Sequence, residues 1–133
     1  GGYFIDIDEY GSAVAVSEAI TDPDVPLLLG VIPTYVAVGE RVKPEAPIAV
    51  GAAIAAALVR QKIPNLSEVD VTSMEDVVIR TSDGIRVLAG SAKGIEERAR
   101  LLDSILASVR EQGMRVDYID VRVEGRPVIR PRR

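Results

Sequence analysis

This sequence contains no histidine and no cysteine, so any chemistry it performs must rest on carboxylates, hydroxyls, lysine and arginine. The commonest general base and metal ligand is missing, and with it every Ser-His or Cys-His nucleophile pairing. Without thiols there is no disulfide framework and no structural zinc site of the usual kind. The run Asp6-x-Asp8-x-Tyr10-Gly11 is similar to the opening of a calcium loop, where closely spaced carboxylates supply hard oxygen ligands. The twelfth position of such a loop must bring a bidentate carboxylate, and here it is Ser17, with flanks that read as strands. A hairpin turn is the expectation there. Gly90-Ser91-Ala92-Lys93-Gly94 falls between a strand and a helix, where backbone N–H groups can hold an anion. A P-loop needs Gly-Lys-Ser/Thr after its turn, whereas Lys93 precedes Gly94, so a plain connector is preferred. Asp70, Asp83, Asp117 and Asp120 lie on alternate strand faces or at turns, and no pattern forces two of them into one cleft. The residues therefore predict a protein that is not an enzyme, with no metal site and no cofactor.

The arginines are distributed unevenly. From Arg122 to the end, Arg122, Arg126, Arg130, Arg132 and Arg133 stand against one acid, Glu124, while the opening stretch carries Asp6, Asp8, Glu9, Glu18, Asp22 and Asp24. Such a basic end reads as a solvated tail or as a contact for an acidic partner. A net charge of -4 and a pI near 4.9 give no general attraction for nucleic acid. The longest uncharged apolar run, Pro47 to Val59, falls well short of the ~20 residues needed to span a bilayer. The Gly1-Gly2 start without Met reads as a cloning remnant or processed fragment with sequence missing upstream.

With 133 residues and 47% hydrophobic content, the chain has the size of one domain with a real core. Alternation of apolar and polar residues over Tyr3–Asp8 and Ser12–Val16, around Gly11, predicts a hairpin. After the turn cluster Thr21-Asp22-Pro23-Asp24, Val25–Val31 reads as a buried strand. Pro33 to Pro47 reads as a loop and Ile48–Gln61 as an alanine-rich helix ended by Pro64. That helix is apolar all round, consistent either with tight wedging against a sheet or with a contact for another chain. A strand follows at Glu68–Ser73. Val77–Thr81 and Ile85–Leu88, joined through Asp83-Gly84, form the clearest hairpin, with Gly84 supplying a positive φ. Ile95–Gln112 is an amphipathic helix with Ile95, Ala99, Leu102, Ile105, Leu106 and Val109 on one stripe, closed by Gly113. Asp117–Val123 alternates, placing Ile119, Val121 and Val123 on a buried face and Tyr118, Asp120 and Arg122 on an open one. Glu124 to Pro127 makes a turn into a final strand, Val128-Ile129-Arg130.

The two halves look alike. A hairpin, Leu29-Gly30, a helix and Val69-Asp70-Val71 are echoed by a hairpin, Ala89-Gly90, a helix and Ile119-Asp120-Val121, which fits either coincidence or duplication. The fold class is α+β, with a largely antiparallel or mixed sheet and helices packed on one face.

The order Phe4-Ile5-Asp6-Ile7-Asp8-x-x-Gly11, Pro26-Leu27-Leu28-Leu29-Gly30, the Val77 to Gly90 hairpin, Lys93 with the long helix, and Tyr118-Ile119-Asp120-Val121-Arg122 closing on Pro127-Val128-Ile129-Arg130 resembles the bacterial cell-division family FtsQ/DivIB. The resemblance implies that residues 1–133 are a single extracytoplasmic β domain, with a POTRA domain, a membrane-spanning helix and a cytoplasmic tail upstream of it. It implies a single-pass parent protein in the bacterial cell membrane at the division septum. It also implies a non-enzymatic scaffold of the divisome that binds FtsB/DivIC-type and FtsL-type division proteins, with no small-molecule substrate. Carried over position by position, it points to Arg122, Gly125, Val128, Ile129 and Arg130 as partner-binding residues. The residue after Arg122 is Val123, where some members have an aromatic, so no aromatic anchor transfers. Strand addition at the closing strand is the expected mode of binding. A small-ligand or anion-binding α/β domain using the Gly90–Gly94 loop is the alternative.

Overall fold

The computed structural model describes residues 2–20 and 22–133; Gly1 of the Gly-Gly start and Thr21 of the predicted turn cluster lie outside them. The expected first hairpin forms as β1 (Phe4–Ile7) and β2 (Ala13–Ser17), an antiparallel pair in a sheet of its own. The main sheet has six strands in the order β3 (Leu27–Leu29), β4 (Leu66–Asp70), β5 (Val77–Thr81), β6 (Arg86–Gly90), β7 (Val116–Asp120) and β8 (Val128–Pro131). The β3–β4 and β6–β7 pairs are parallel, and the others are antiparallel. Helices α1 (Glu45–Arg60) and α2 (Ile95–Glu111) are the crossovers that parallel neighbours require. The expected α+β class with a mixed sheet is therefore the fold observed.

The core lies between the helices and one face of this sheet. Val69, Val71, Val77, Ile79, Val87, Ala89, Ile119 and Val121 point inward, against Ile54, Ala57, Leu58, Ala99, Leu102, Leu106 and Val109. Period 2 in the strands and the apolar stripe of α2 meet here, as the sequence pattern requires. Helix α1 begins three residues earlier than Ile48, so Pro47 sits inside its first turn, where a missing N–H costs no intrahelical bond. Its small residues do wedge closely: a Cβ on Gly51 would meet Leu28 Cδ1 at 2.1 Å.

Two expectations about strands fail. Val25–Val31 is not a buried strand; only Leu27–Leu29 pairs, at the sheet edge, leaving Leu27 and Leu29 more than a third exposed. An apolar run with a single neighbouring strand has one side open whatever its composition. Val123 does not share the buried face, because β7 ends at Asp120 and Val123 is 57% exposed. The inward residues are instead Val116 and Ile119 of β7, offset by a bulge between Val116 and Tyr118, and Val121 just past its end.

The internal resemblance has a definite structural form, different from the hairpin-helix-strand unit expected. The repeating unit is strand, helix, strand, strand: β3-α1-β4-β5, then β6-α2-β7-β8. The β4–β5 pairs Leu66↔Thr81, Glu68↔Arg80, Val69↔Ile79 and Asp70↔Val78 recur as Val116↔Pro131, Tyr118↔Arg130, Ile119↔Ile129 and Asp120↔Val128, each fifty positions on. Even the bulge recurs. The first hairpin stands outside this repeat.

Candidate functional site

The sheet places Val128, Ile129 and Arg130 together on β8, an edge strand with all of its residues exposed. The orientation of its backbone follows from two bonds. Arg132 donates its N–H to Arg115 O (2.9 Å), and Val121 donates its N–H to Leu88 O (3.1 Å). Backbone groups alternate sides along a strand, so Val128 and Arg130 turn theirs toward Tyr118 and Asp120 of β7. Ile129 turns its N–H and C=O outward. Pro127 and Pro131 share that outward side and carry no N–H. The edge thus offers one donor at its centre with a proline two residues away on either side, which keeps the strand short and blunts indiscriminate pairing.

Side chains on β8 continue the rows of the sheet. Ile129 extends the helix-facing row Leu28, Val69, Ile79, Val87 and Ile119, but it remains 38% exposed. Arg130 lies on the open face beside Tyr118, which in turn neighbours Arg86. The Arg86 guanidinium sits 5.9 Å above the Tyr118 ring and 3.5 Å from Asp117. Among the described residues Arg126, Arg130 and Arg133 have no ion-pair partner, and Arg132 donates to Gly84 O (3.1 Å). Arg86 and Tyr118 are not among the partner-binding residues expected from sequence, although Tyr118 is expected on the open face and alternation puts Arg80 and Arg86 on the polar face of their strands.

Arg122 plays a different part. Its Nε and Nη2 donate to Asp120 Oδ1 and Oδ2 (3.0 and 2.8 Å), its backbone N–H donates to Oδ1 (3.0 Å), and Nη1 lies 3.5 Å from Asp76. Hydrogen bonding to Arg122 holds the Asp120 carboxyl below its usual range, and Asp120 raises the arginine above its own. The stem of Arg122 lies over the Gly90 turn, 3.5 Å from where a Cβ would stand. Its charge is already engaged, so it braces the end of β7 and the turn that leads to β8. Gly125 sits in that turn at φ +71°, just ahead of Arg126, whose N–H donates to Val123 O (3.1 Å).

The other candidates have structural occupations. Two carbonyls of the Gly90–Gly94 loop and one from the end of β6 converge on Arg98: Nη1 donates to Lys93 O (2.8 Å), Nη2 to Ser91 O and Nε to Ala89 O (2.9 Å). A loop that directs oxygens at an arginine is the inverse of an anion cradle, which directs N–H groups. The loop residues alone do not point to Arg98; its position four residues after Gly94, on the first turn of the helix that the loop enters, is the signal for it in the sequence. Asp8 closes the first hairpin, its Oδ1 accepting from the N–H groups of Tyr10 and Ser12 (both 2.9 Å). Asp70 accepts from the Thr72 hydroxyl (2.6 Å), and that bond, with the Thr72 N–H and Arg80, lowers its pKa. Burial alone would raise Asp83, but hydrogen bonds from Arg110 and Thr81 outweigh it and hold the carboxyl low. The four acids stay apart, each with its own partner. No helix of the described residues is long and apolar enough to cross a membrane.

The family model for the C-terminal part of the cell division protein FtsQ/DivIB matches residues 2–122. The chain belongs to that family. No curated protein matches it.

Proposed function

We propose that this FtsQ/DivIB C-terminal chain works as a non-enzymatic holder of other division proteins, and that it takes a partner strand on the free edge of β8. The observation that carries this reading is the repeat. Strand β8 is the counterpart of β5, with Val128-Ile129-Arg130 standing where Val78-Ile79-Arg80 stands in the first unit. The far side of β5 is filled by β6, through Val78↔Leu88, Ile79↔Val87 and Arg80↔Arg86. The far side of β8 has no strand among the described residues, and the exposed apolar surface of Val128 and Ile129 remains beside it. Main-chain bonds to Ile129 give affinity in strand addition, and neighbouring side chains give selectivity.

In this reading Val128, Ile129 and Arg130 present the edge, while Arg122 and Gly125 shape the turn that delivers it. Arg126, Arg130 and Arg133 favour an acidic strand. The partners are division proteins of the FtsB/DivIC and FtsL types. The parent protein is a single-pass membrane protein with residues 1–133 as one extracytoplasmic β domain, acting at the septum. The anion-binding alternative loses support from the inward carbonyls of the Gly90–Gly94 loop. Ile129→Pro removes the outward donor and leaves every described core contact in place, so it should weaken binding of the soluble segment of an FtsB/DivIC-type partner at least ~10-fold, about 1.4 kcal/mol, with thermal stability retained. Unchanged affinity in a folded Ile129→Pro protein would refute strand addition.

A further inference from the structure

The sheet has a second open edge. On β3, Val71 donates its N–H to Leu29 O (2.9 Å), so Leu27 and Leu29 face β4 with their backbone groups and Leu28 turns its own outward. Pro26, two residues earlier, shares that outward side and has no donor. Beside this edge lies an apolar groove of ≈ 620 Å³, walled by β1, by β3 and by the small residues Gly51, Ala55 and Ala56 of α1. Asp6, Asp8, Glu9 and Asp22 also line it.

By the internal repeat β3 is the counterpart of β6, and β8 is the counterpart of β5. Those counterparts pair with each other at the centre of the sheet, antiparallel, with Ile79 opposite Val87. Each open edge therefore has the form that completes the other. We infer that the β8 edge of one copy of this chain pairs antiparallel with the β3 edge of a second copy, repeating the β5–β6 junction with Ile129 opposite Leu28. In this register Ile129 and Leu28, the outward residues of their strands, exchange both main-chain bonds. Val128 then lies opposite Leu29 and Arg130 opposite Leu27, covering side chains that are 48%, 37% and 38% exposed for Val128, Leu29 and Leu27. Arg132 and Arg133 arrive beside Asp22 and Asp24, so the basic end of one copy meets the acidic flank of the next. Pairing β8 with a second β8 would instead oppose arginines. The contact is head-to-tail and does not close on itself. With Pro131 opposite Pro26 it gains few further bonds, so it is weak and reversible. The inference goes beyond partner binding but draws on the same β8 edge, so a second copy and a partner strand exclude one another there.

The absence of native cysteine makes cross-linking a clean test. Leu29→Cys and Val128→Cys proteins, exposed single substitutions of the full chain, are mixed and oxidised gently at high concentration. The expected result is a mixed disulfide well above the statistical share relative to either homodimer, reduced by high salt and by Arg132→Glu with Arg133→Glu. Leu27→Cys mixed with Val128→Cys, two residues out of register, should give markedly less. A mixed product no greater than statistical, or equal in both registers, overturns the inference. Ile129→Pro separates this claim from partner binding: if it abolishes partner binding while no mixed disulfide forms in the parent background, strand addition stands and self-pairing falls.

Discussion

Replacing Arg98 by Met tests whether the Gly90–Gly94 loop is held by a cation. The substitution keeps an unbranched apolar stem and removes three donated hydrogen bonds, to the carbonyls of Ala89, Ser91 and Lys93. A hydrogen bond to a charged group contributes about 1.5–3 kcal/mol net, and less where water can replace it. The Lys93 carbonyl is exposed and rehydrates, whereas the bonds to Ala89 and Ser91 are partly buried. Allowing for non-additivity, the loss should be about 3 kcal/mol, or roughly 10 °C in Tm for a domain of this size. Urea unfolding should show a lower midpoint with an unchanged slope. Arg98→Lys, one point charge without the planar fork, should fall between the two. A Met variant within ~0.5 kcal/mol of the parent would refute the bracing role. A parent protein whose Tm rises with added phosphate would restore the anion-binding reading.

Three further outcomes follow from the same structure. Val121→Asp places an unpaired carboxylate in the core and should cost roughly 3–5 kcal/mol, while Val123→Asp, two residues on, should stay within ~0.5 kcal/mol; equal effects in urea unfolding would mean the end of β7 is misplaced. Gly84, at φ +89° in the β5–β6 turn, should lose about 2 kcal/mol on replacement by Val, and a neutral result in the same assay would contradict the turn. Asp70, Asp83 and Asp120 have folded pKa values below the ordinary carboxylate value, so their stabilisation is complete above about pH 4 and is lost as pH falls through the depressed values. Acid titration of the unfolding midpoint should therefore steepen below about pH 4, and Asp120→Asn should flatten it; a midpoint that rises on acidification would contradict these assignments.

Much of the architecture could be read from local pattern because its signals are local. The stripe of α2 and the Asp83-Gly84 turn depend on residues within one turn of each other. In the β5–β6 hairpin Thr81 accepts the turn bond from the Gly84 N–H (3.1 Å) and donates its own N–H to Ile85 O (3.0 Å), so the positive-φ glycine directly closes the loop. The end of β7 could not be read this way. Val123 continues the alternation perfectly, yet Asp120 captures the Arg122 backbone and side chain and ends the strand early. That capture depends on a side chain folding back, which alternation does not record. The same holds for Arg122 as a candidate contact: its residue type was visible, its engagement with Asp120 and Asp76 was not. Val25–Val31 looked buried because apolar runs usually are, but burial depends on how many strands flank the run, a property of the whole sheet. The repeat was visible as an order of motifs. Its true unit emerged only from strand pairing, because registers fifty residues apart leave little trace in sequence beyond Val69-Asp70-Val71 with Ile119-Asp120-Val121 and Val78-Ile79-Arg80 with Val128-Ile129-Arg130.

The central claim is that the outward Ile129 N–H becomes a main-chain donor to a partner strand, and amide-resolved hydrogen exchange measures that group directly. With the soluble segment of an FtsB/DivIC-type partner at saturation, Ile129 should gain strong protection, while Val128 and Arg130, already bonded toward β7, should change little. Protection gained elsewhere, with exchange at Ile129 as fast in the complex as in the free protein, would contradict the account.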